Sequence, residues 1–236
     1  MTCRAVQKAL RAKARSEKAV LLKSFFKTGP GQYGEGDLFI GVTMPEIRKI
    51  VRLHSGLSFS EIRKLLKSPV HEERLTALLM LVQRYQLAAT EAEKRLLFNF
   101  YTAHLRWINN WDLVDSSAHH IVGAHLEKKE RALLRRLARS GNLWERRVAI
   151  VATWHYIRKG DARETYRLAL LLLNDPHDLL HKAVGWMLRE TGKHCSAHAL
   201  EAFLESHATR MPRTMLRYAI ERFPERKKRF YLTRGK

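Results

Sequence analysis

Cysteine is nearly missing from this 236-residue chain: only Cys3 and Cys195 are present, too few for a disulfide framework, which points to a reducing compartment. Proline (6) and glycine (12) are sparse, and alternating strand patterns are almost absent, so an all-β fold is excluded. Apolar runs approaching the ~20 residues of a membrane span are missing, as is a signal-peptide apolar region at the N-terminus. The basic amphipathic stretch Arg4 to Lys23 resembles a targeting peptide in charge, but its Ala/Val/Leu face at helical spacing reads as a first structural helix. An intracellular, cytoplasmic protein is expected. Acidic residues are the last deficit, with 23 Asp+Glu against 44 Lys+Arg, a formal charge of +21 and a pI near 10.4. Such an imbalance favours a polyanionic partner, nucleic acid before anionic membrane.

What is present is helical periodicity. Apolar residues recur at i, i+3, i+4 and i+7 through long segments, which predicts an all-α chain. The one conspicuous break, Thr28 to Asp37, holds four glycines and a proline and reads as a loop before a helix opening at Met44-Pro45. Five segments centre on a small alanine within an apolar stripe: Ala77, Ala118, Ala149, Ala183 and Ala219, at intervals of 41, 31, 34 and 36 residues. Each is read as one helix, with shorter helices between them over Glu91 to Arg106, Lys128 to Ser140 and Asp161 to Leu173. Helix pairs at roughly 35–45 residues are the mark of an α-solenoid of HEAT-like repeats. The expectation is a single repeat domain over 1–236 with a concave basic groove and a basic C-terminal tail from about 225.

The candidate chemistry gathers around Asn110-Trp111-Asp112-Leu113-Val114-Asp115, with Arg147 and Trp186 downstream. A carboxylate amid a surface built for polyanions repels phosphate, so plain binding disfavours it and chemistry on the nucleic acid favours it. Asp112, in a first helical turn, is expected to act as a cap. Asp115 lies one turn deeper; its structural alternative is an ion pair with an arginine of the next repeat, such as Arg147. By their positions relative to the repeat alanines, Asp115, Arg147 and Trp186 could converge on one groove. Trp107, Trp144 and Trp154 are expected in the core, and Trp111 and Trp186 in the groove, where an aromatic face can hold a cation or a sugar ring.

The basic set is Arg146, Arg147, Lys182, Arg189, Arg210, Arg213 and Arg217. Arg213 and Arg217, four apart, form one stripe near a helix start after Met211-Pro212, where backbone amides also favour phosphate. His119, His120 and His125, or His194, Cys195 and His198, lack a full ligand set at a metal-binding spacing, so no metal is expected. The glycines of residues 29–36 do not form a nucleotide-binding loop, and no serine or cysteine nucleophile constellation stands out.

Taken together, four blocks resemble the AlkD family of bacterial DNA alkylation-repair glycosylases, which are built from HEAT-like repeats. They are Phe39-Ile40-Gly41-Val42 with Pro45-Glu46-Ile47-Arg48; Trp111 to Asp115; Asn142 to Ala149; and Lys182 to Glu190. The resemblance covers most of the chain. It implies excision of cationic N3- and N7-alkylated purines from duplex DNA, without flipping the base into a pocket. Carried over by position, it implies a catalytic Asp115, groove tryptophans Trp111 and Trp186, and a groove arginine Arg147. DNA contacts are implied for Phe25 (or Phe26, where the family often has tyrosine) and for Thr43. Lys182, Arg213 and Arg217 complete the expected DNA-binding set. Asn110 stands where a second tryptophan would be.

An alkylated purine already carries positive charge and leaves without a general acid, so one carboxylate suffices to stabilise the sugar cation and align water. A monofunctional glycosylase without cofactor, acting as a monomer on alkylated double-stranded DNA, is the expectation. The competing readings are a non-catalytic DNA-binding solenoid and an RNA-binding helical-repeat protein.

Overall fold

The computed structural model describes residues 1–234, and their regular elements are all helices, with no strand beyond one isolated parallel bridge between Leu38 and Val70. The class expected from periodicity holds: all-α, built of helical repeats. The chain forms two compact units, divided between Ser117 and Ala118.

The first unit holds α1 (Cys3–Arg11), α2 (Ser16–Phe25), α3 (Met44–Leu53), α4 (Phe59–Leu66), α5 (His71–Leu87), α6 (Glu91–Ala103) and α7 (Trp111–Asp115). The expected single N-terminal helix is two helices. The turn through Lys13 and Ala14 ends α1, and the Arg15 amide donates to the Ile40 carbonyl at 3.0 Å rather than continuing the ladder. Gly41 makes this crossing possible: its φ is +81°, and a Cβ there would fall 2.0 Å from the Arg15 carbonyl oxygen. α5 is the central element, packed against α1, α3, α4, α6 and α7. α6 starts at a capping box, in which Thr90 accepts from the Glu93 amide and Glu93 reaches back to the Thr90 amide.

The second unit begins with a π-helical turn, His119–Gly123. It continues with α8 (Ala132–Leu137), α9 (Leu143–Ala152), α10 (Trp154–Ile157), α11 (Arg163–Leu171), α12 (Asp178–His194), α13 (Ala197–His207), α14 (Arg213–Ala219) and α15 (Glu225–Thr233). α12 is its centre, touching α9, α10, α11, α13 and α14. The segment around Ala118, expected as one helix, is broken at Ser116 and Ser117 and resumes as the π turn. The run from Glu225, expected as a tail, is helical; it buries Tyr231 and ties Lys227 to Glu201 at 2.6 Å.

All five repeat alanines are buried, which is what lets neighbouring helices approach. Gly185 extends this in α12: a Cβ there would lie 2.4 Å from the Met215 carbonyl oxygen and 2.5 Å from Tyr218 Cβ, so α14 packs directly on its backbone. No helix among the described residues is long and apolar enough to cross a membrane.

Candidate active site

The first turn of α5 reads His71-Glu72-Glu73-Arg74, a run that sequence pattern would place in solvent. All four side chains are instead buried. Successive helical residues point ~100° apart, so this helix start is enclosed on every side, and each of the four side chains makes at least one hydrogen bond. Glu72 accepts from the backbone amides of Ile40 (3.1 Å), Gly41 (2.8 Å) and Val42 (3.3 Å), pinning the loop before α3. Glu73 accepts from Gln7 Nε2 at 2.7 Å. Arg74 donates to the Ser68 carbonyl (2.9 Å) and to Asp37 Oδ1 (2.5 Å).

Asp37 is the hub. Its Oδ2 also lies 3.0 Å from His71 Nδ1 and accepts from Asn110 Nδ2 at 3.0 Å. Burial opposes its ionisation, but the His71 hydrogen bond, the Arg74 charge and the Asn110 hydrogen bond outweigh this and hold the carboxyl below its ordinary range. The other nitrogen of His71, Nε2, is 2.7 Å from Asp112 Oδ2. Burial pushes the His71 imidazole toward the neutral form. The Asp112 charge and the hydrogen bonds to Asp112 and Asp37 overcome it, and its pKa rises to about 8.

These contacts fix α7 from outside. Asn110, wholly buried, serves both ends: its Nδ2 binds Asp37, and its Oδ1 accepts from the Trp111 amide at 2.8 Å. Asn110 is therefore the cap of α7. Asp112, expected as the cap, is the partner of His71; its first-turn position holds, its role does not. At the other end, Ser117 Oγ donates to the Leu113 carbonyl (2.5 Å), so the buried Tyr101 hydroxyl donates to Ser117 Oγ (2.9 Å). Burial, reinforced by the nearby Asp115 charge, drives the Tyr101 phenol ionisation upward. Asp115 itself is the last residue of α7 and half-buried.

Trp111 is half-buried at the end of an aromatic stack. Its ring lies parallel on Phe26 (centroids 5.0 Å apart), which lies on Phe39 (4.9 Å), and His71 stacks on Phe39 at 4.5 Å. Its indole N–H donates to the Tyr33 hydroxyl at 3.2 Å. The two adjacent phenylalanines divide the work. Phe26 is buried beneath Trp111, while Phe25 is 62% exposed and meets the Trp111 edge at 5.8 Å. Thr43, half-buried, precedes α3 as its N-cap without a side-chain cap bond.

The remaining expected residues lie in the second unit. Arg147 in α9 is 5% exposed, and its Nη1 donates to the Leu179 carbonyl at 2.6 Å. Trp186 in α12 is half-buried, with its ring 6.3 Å from that of Trp154. Lys182 pairs with Asp178 at 2.7 Å. Arg213 and Arg217 are exposed on α14, and Arg213 donates to the Leu232 carbonyl at 2.6 Å.

Two members of the wider basic set hold the fold together. Arg146 bonds Asp175 (2.6 Å) and the carbonyls of Ser140 and Gly141; Arg189 bonds Glu190 (2.8 Å) and Glu221. Trp107, Trp144 and Trp154, expected in the core, are half-buried, as are Trp111 and Trp186, since an indole of this size is rarely covered on every edge.

Sequence reasoning missed His71, Asp37, Arg74, Tyr33 and the buried role of Phe26. The one available signal was a histidine-led charged run at a helix start that follows an X-Pro-Val turn. Among the described residues no group of three or more His, Cys, Asp or Glu could hold a metal ion.

The chain belongs to a family of DNA alkylation repair enzymes, whose model matches residues 6–223. Its fold is also that of a solved structure described as a predicted DNA alkylation repair enzyme from Enterococcus faecalis. That chain is 16% identical, with a TM-score of 0.67, and the likeness covers 90% of this chain and 98% of that one. A search of curated proteins gave no match.

Proposed function

We propose that the protein is a monofunctional DNA glycosylase that hydrolyses the N-glycosidic bond of cationic N3- and N7-alkylated purines in duplex DNA. The observation that carries this reading is Asp115: a half-buried carboxylate at the end of a one-turn helix whose orientation is fixed by buried groups, in a chain of net charge +21. Asp112 is the weaker candidate because a buried imidazole already occupies its charge.

The reaction needs little else. As the C1′–N bond lengthens, its electron pair passes to the alkylated purine and neutralises it, so the base leaves without added acid. Positive charge grows on the deoxyribose, and Asp115 stabilises it. Water adds at C1′ and gives up its proton toward the same carboxylate. The half-buried face of Trp111 offers cation–π attraction to the charged centre, and its parallel packing on Phe26 keeps that face in one place. Trp186 and Arg147 are assigned to the sugar and backbone at the lesion. Phe25, Thr43, Lys182, Arg213 and Arg217 are assigned to duplex contacts, and no cofactor takes part. Action as a monomer in the cytoplasm is part of the proposal.

The test is base release from a duplex carrying one N7-methylguanine under single-turnover conditions. Wild type should release the base. Asp115→Asn should lose roughly 10²–10³ in rate, the scale of losing one preorganised electrostatic contact, with duplex binding retained. Tight binding with no release by either protein would leave a non-catalytic DNA-binding protein.

A further inference from the structure

We propose that His71 is a positioning residue for the base-release reaction, acting as an imidazolium clamp that sets the orientation of α7. The inference rests on the reading of Asp115 as the catalytic carboxylate, which α7 carries, but its structural half stands separately.

The argument starts from donor counting. Asp37 Oδ2 and Asp112 Oδ2 sit 3.0 and 2.7 Å from the two nitrogens of one ring. An ionised carboxylate only accepts, and neutral imidazole has a single N–H, so both contacts require the doubly protonated ring. Removing one proton turns one of them into a lone pair facing a carboxylate, inside a site where His71 is 2% exposed and repulsion is poorly screened.

Which contact yields is set by the surroundings. Asp37 keeps Arg74 and Asn110 whatever His71 does. Asp112 has no such reserve, because its buried Oδ1 lacks a hydrogen-bond partner among the described residues. Deprotonation therefore releases the start of α7, three residues before Asp115 and one after Trp111. The charged groups facing His71 are Asp37 from the loop before α3, Asp112 from α7 and Arg74 from its own helix, the last opposing protonation. Phe26 and Phe39 cover the ring and connect it to Trp111, so a shift of α7 also changes the Trp111 environment. A half-buried aspartate without a partner costs enough to move a helix of five residues, which has almost no ladder of its own.

The experiment uses the full chain and two readouts. The first is the 15N–1H signal of the Trp111 indole, assigned by its loss in Trp111→Phe, followed from pH 6 to 9.5. The second is single-turnover release of N7-methylguanine over the same range. In wild type the indole signal should move with a midpoint near 8, and release should fall roughly 10- to 100-fold as it does, the scale of a small misplacement of a reacting group. In His71→Gln the indole signal should be independent of pH in that window, and release should be low and flat, with duplex affinity within about twofold of wild type, since the clamp sets geometry rather than contact.

A wild-type indole signal that does not titrate between pH 6 and 9.5, or a His71→Gln protein with the wild-type release rate and pH profile, would overturn the clamp. An indole titration that His71→Gln abolishes, in a protein that releases no base at any pH, would uphold the clamp and overturn the catalytic reading of Asp115. Should His71→Gln fail to fold, the wild-type His71 ring signals decide: a ring already neutral at pH 7 overturns the proposal, and one charged there upholds it.

Discussion

α7 in the first unit and α12 in the second each present a half-buried tryptophan, and different forces hold them. α7 is five residues long, and its orientation comes from Asp37, His71, Asn110 and the Phe26 ring. α12 is 17 residues long and carries its own hydrogen-bond ladder. It buries Leu180, Ala183, Val184, Met187 and Leu188, and meets α14 at the bare backbone of Gly185. A short helix held by charges should answer to protonation. A long one held by fit should answer to size.

The sharpest break of that comparison is Gly185→Leu. The Cβ alone would meet the Met215 carbonyl oxygen at 2.4 Å, backbone that cannot give way as a side-chain tip can. A loss of about 3 kcal/mol is expected, the upper range for overpacking, read as a fall in the urea midpoint. Gly141→Ala is the control, because nothing lies within 4 Å of its added Cβ. A Gly185→Leu protein of wild-type stability would mean that α12 and α14 can slide apart, and that fit does not hold α12.

The complementary test is pH. The His71 pKa is raised from 6.5 to about 8 on folding. Its contribution to stability is therefore fully present below about pH 6.5 and is lost as pH rises through 8. The shift corresponds to about 2 kcal/mol. Asp37 behaves oppositely: its folded pKa is depressed, so its contribution is present above the ordinary carboxylate range and is lost only in acid. Urea midpoints at pH 6.5 and 9 should thus differ in wild type and in Gly141→Ala, and the difference should shrink in His71→Gln. An equal difference in all three would remove His71 from the account of alkaline stability.

The contrast also explains what could be read from the sequence. The long, sterically held parts were legible, because their signal is local: Ala77, Ala149, Ala183 and Ala219 mark their helices by periodicity and are all buried. The block Trp111 to Asp115 was legible as a helical turn with two carboxylates. The partners of that turn were not, since Asp37 and His71 lie 73 and 41 residues before the groups they bind. A run such as His71-Glu72-Glu73-Arg74 looks solvated until the loop that wraps it is known. The same ignorance sent Arg146 and Arg189 to a DNA surface, when Asp175, Glu190 and Glu221 hold them inside the second unit. Trp107, Trp144 and Trp154 were expected in the core because helical tryptophans usually pack there, a habit that does not say how much of each indole stays exposed.

The smallest effect separates arginines that build the protein from those free to meet DNA. Arg213 and Arg217 are exposed on α14, with one N–H of Arg213 given to the Leu232 carbonyl. Replacing both with alanine should weaken binding to lesion-bearing and plain duplex alike by a few-fold. It should also lower the slope of log affinity against log salt by about two, one released counterion per lost phosphate contact. Arg146→Ala should act the other way round, reducing stability by removing the partner of Asp175 while leaving the salt slope alone. A loss confined to the lesion-bearing duplex would place Arg213 and Arg217 at the damaged base rather than along the backbone.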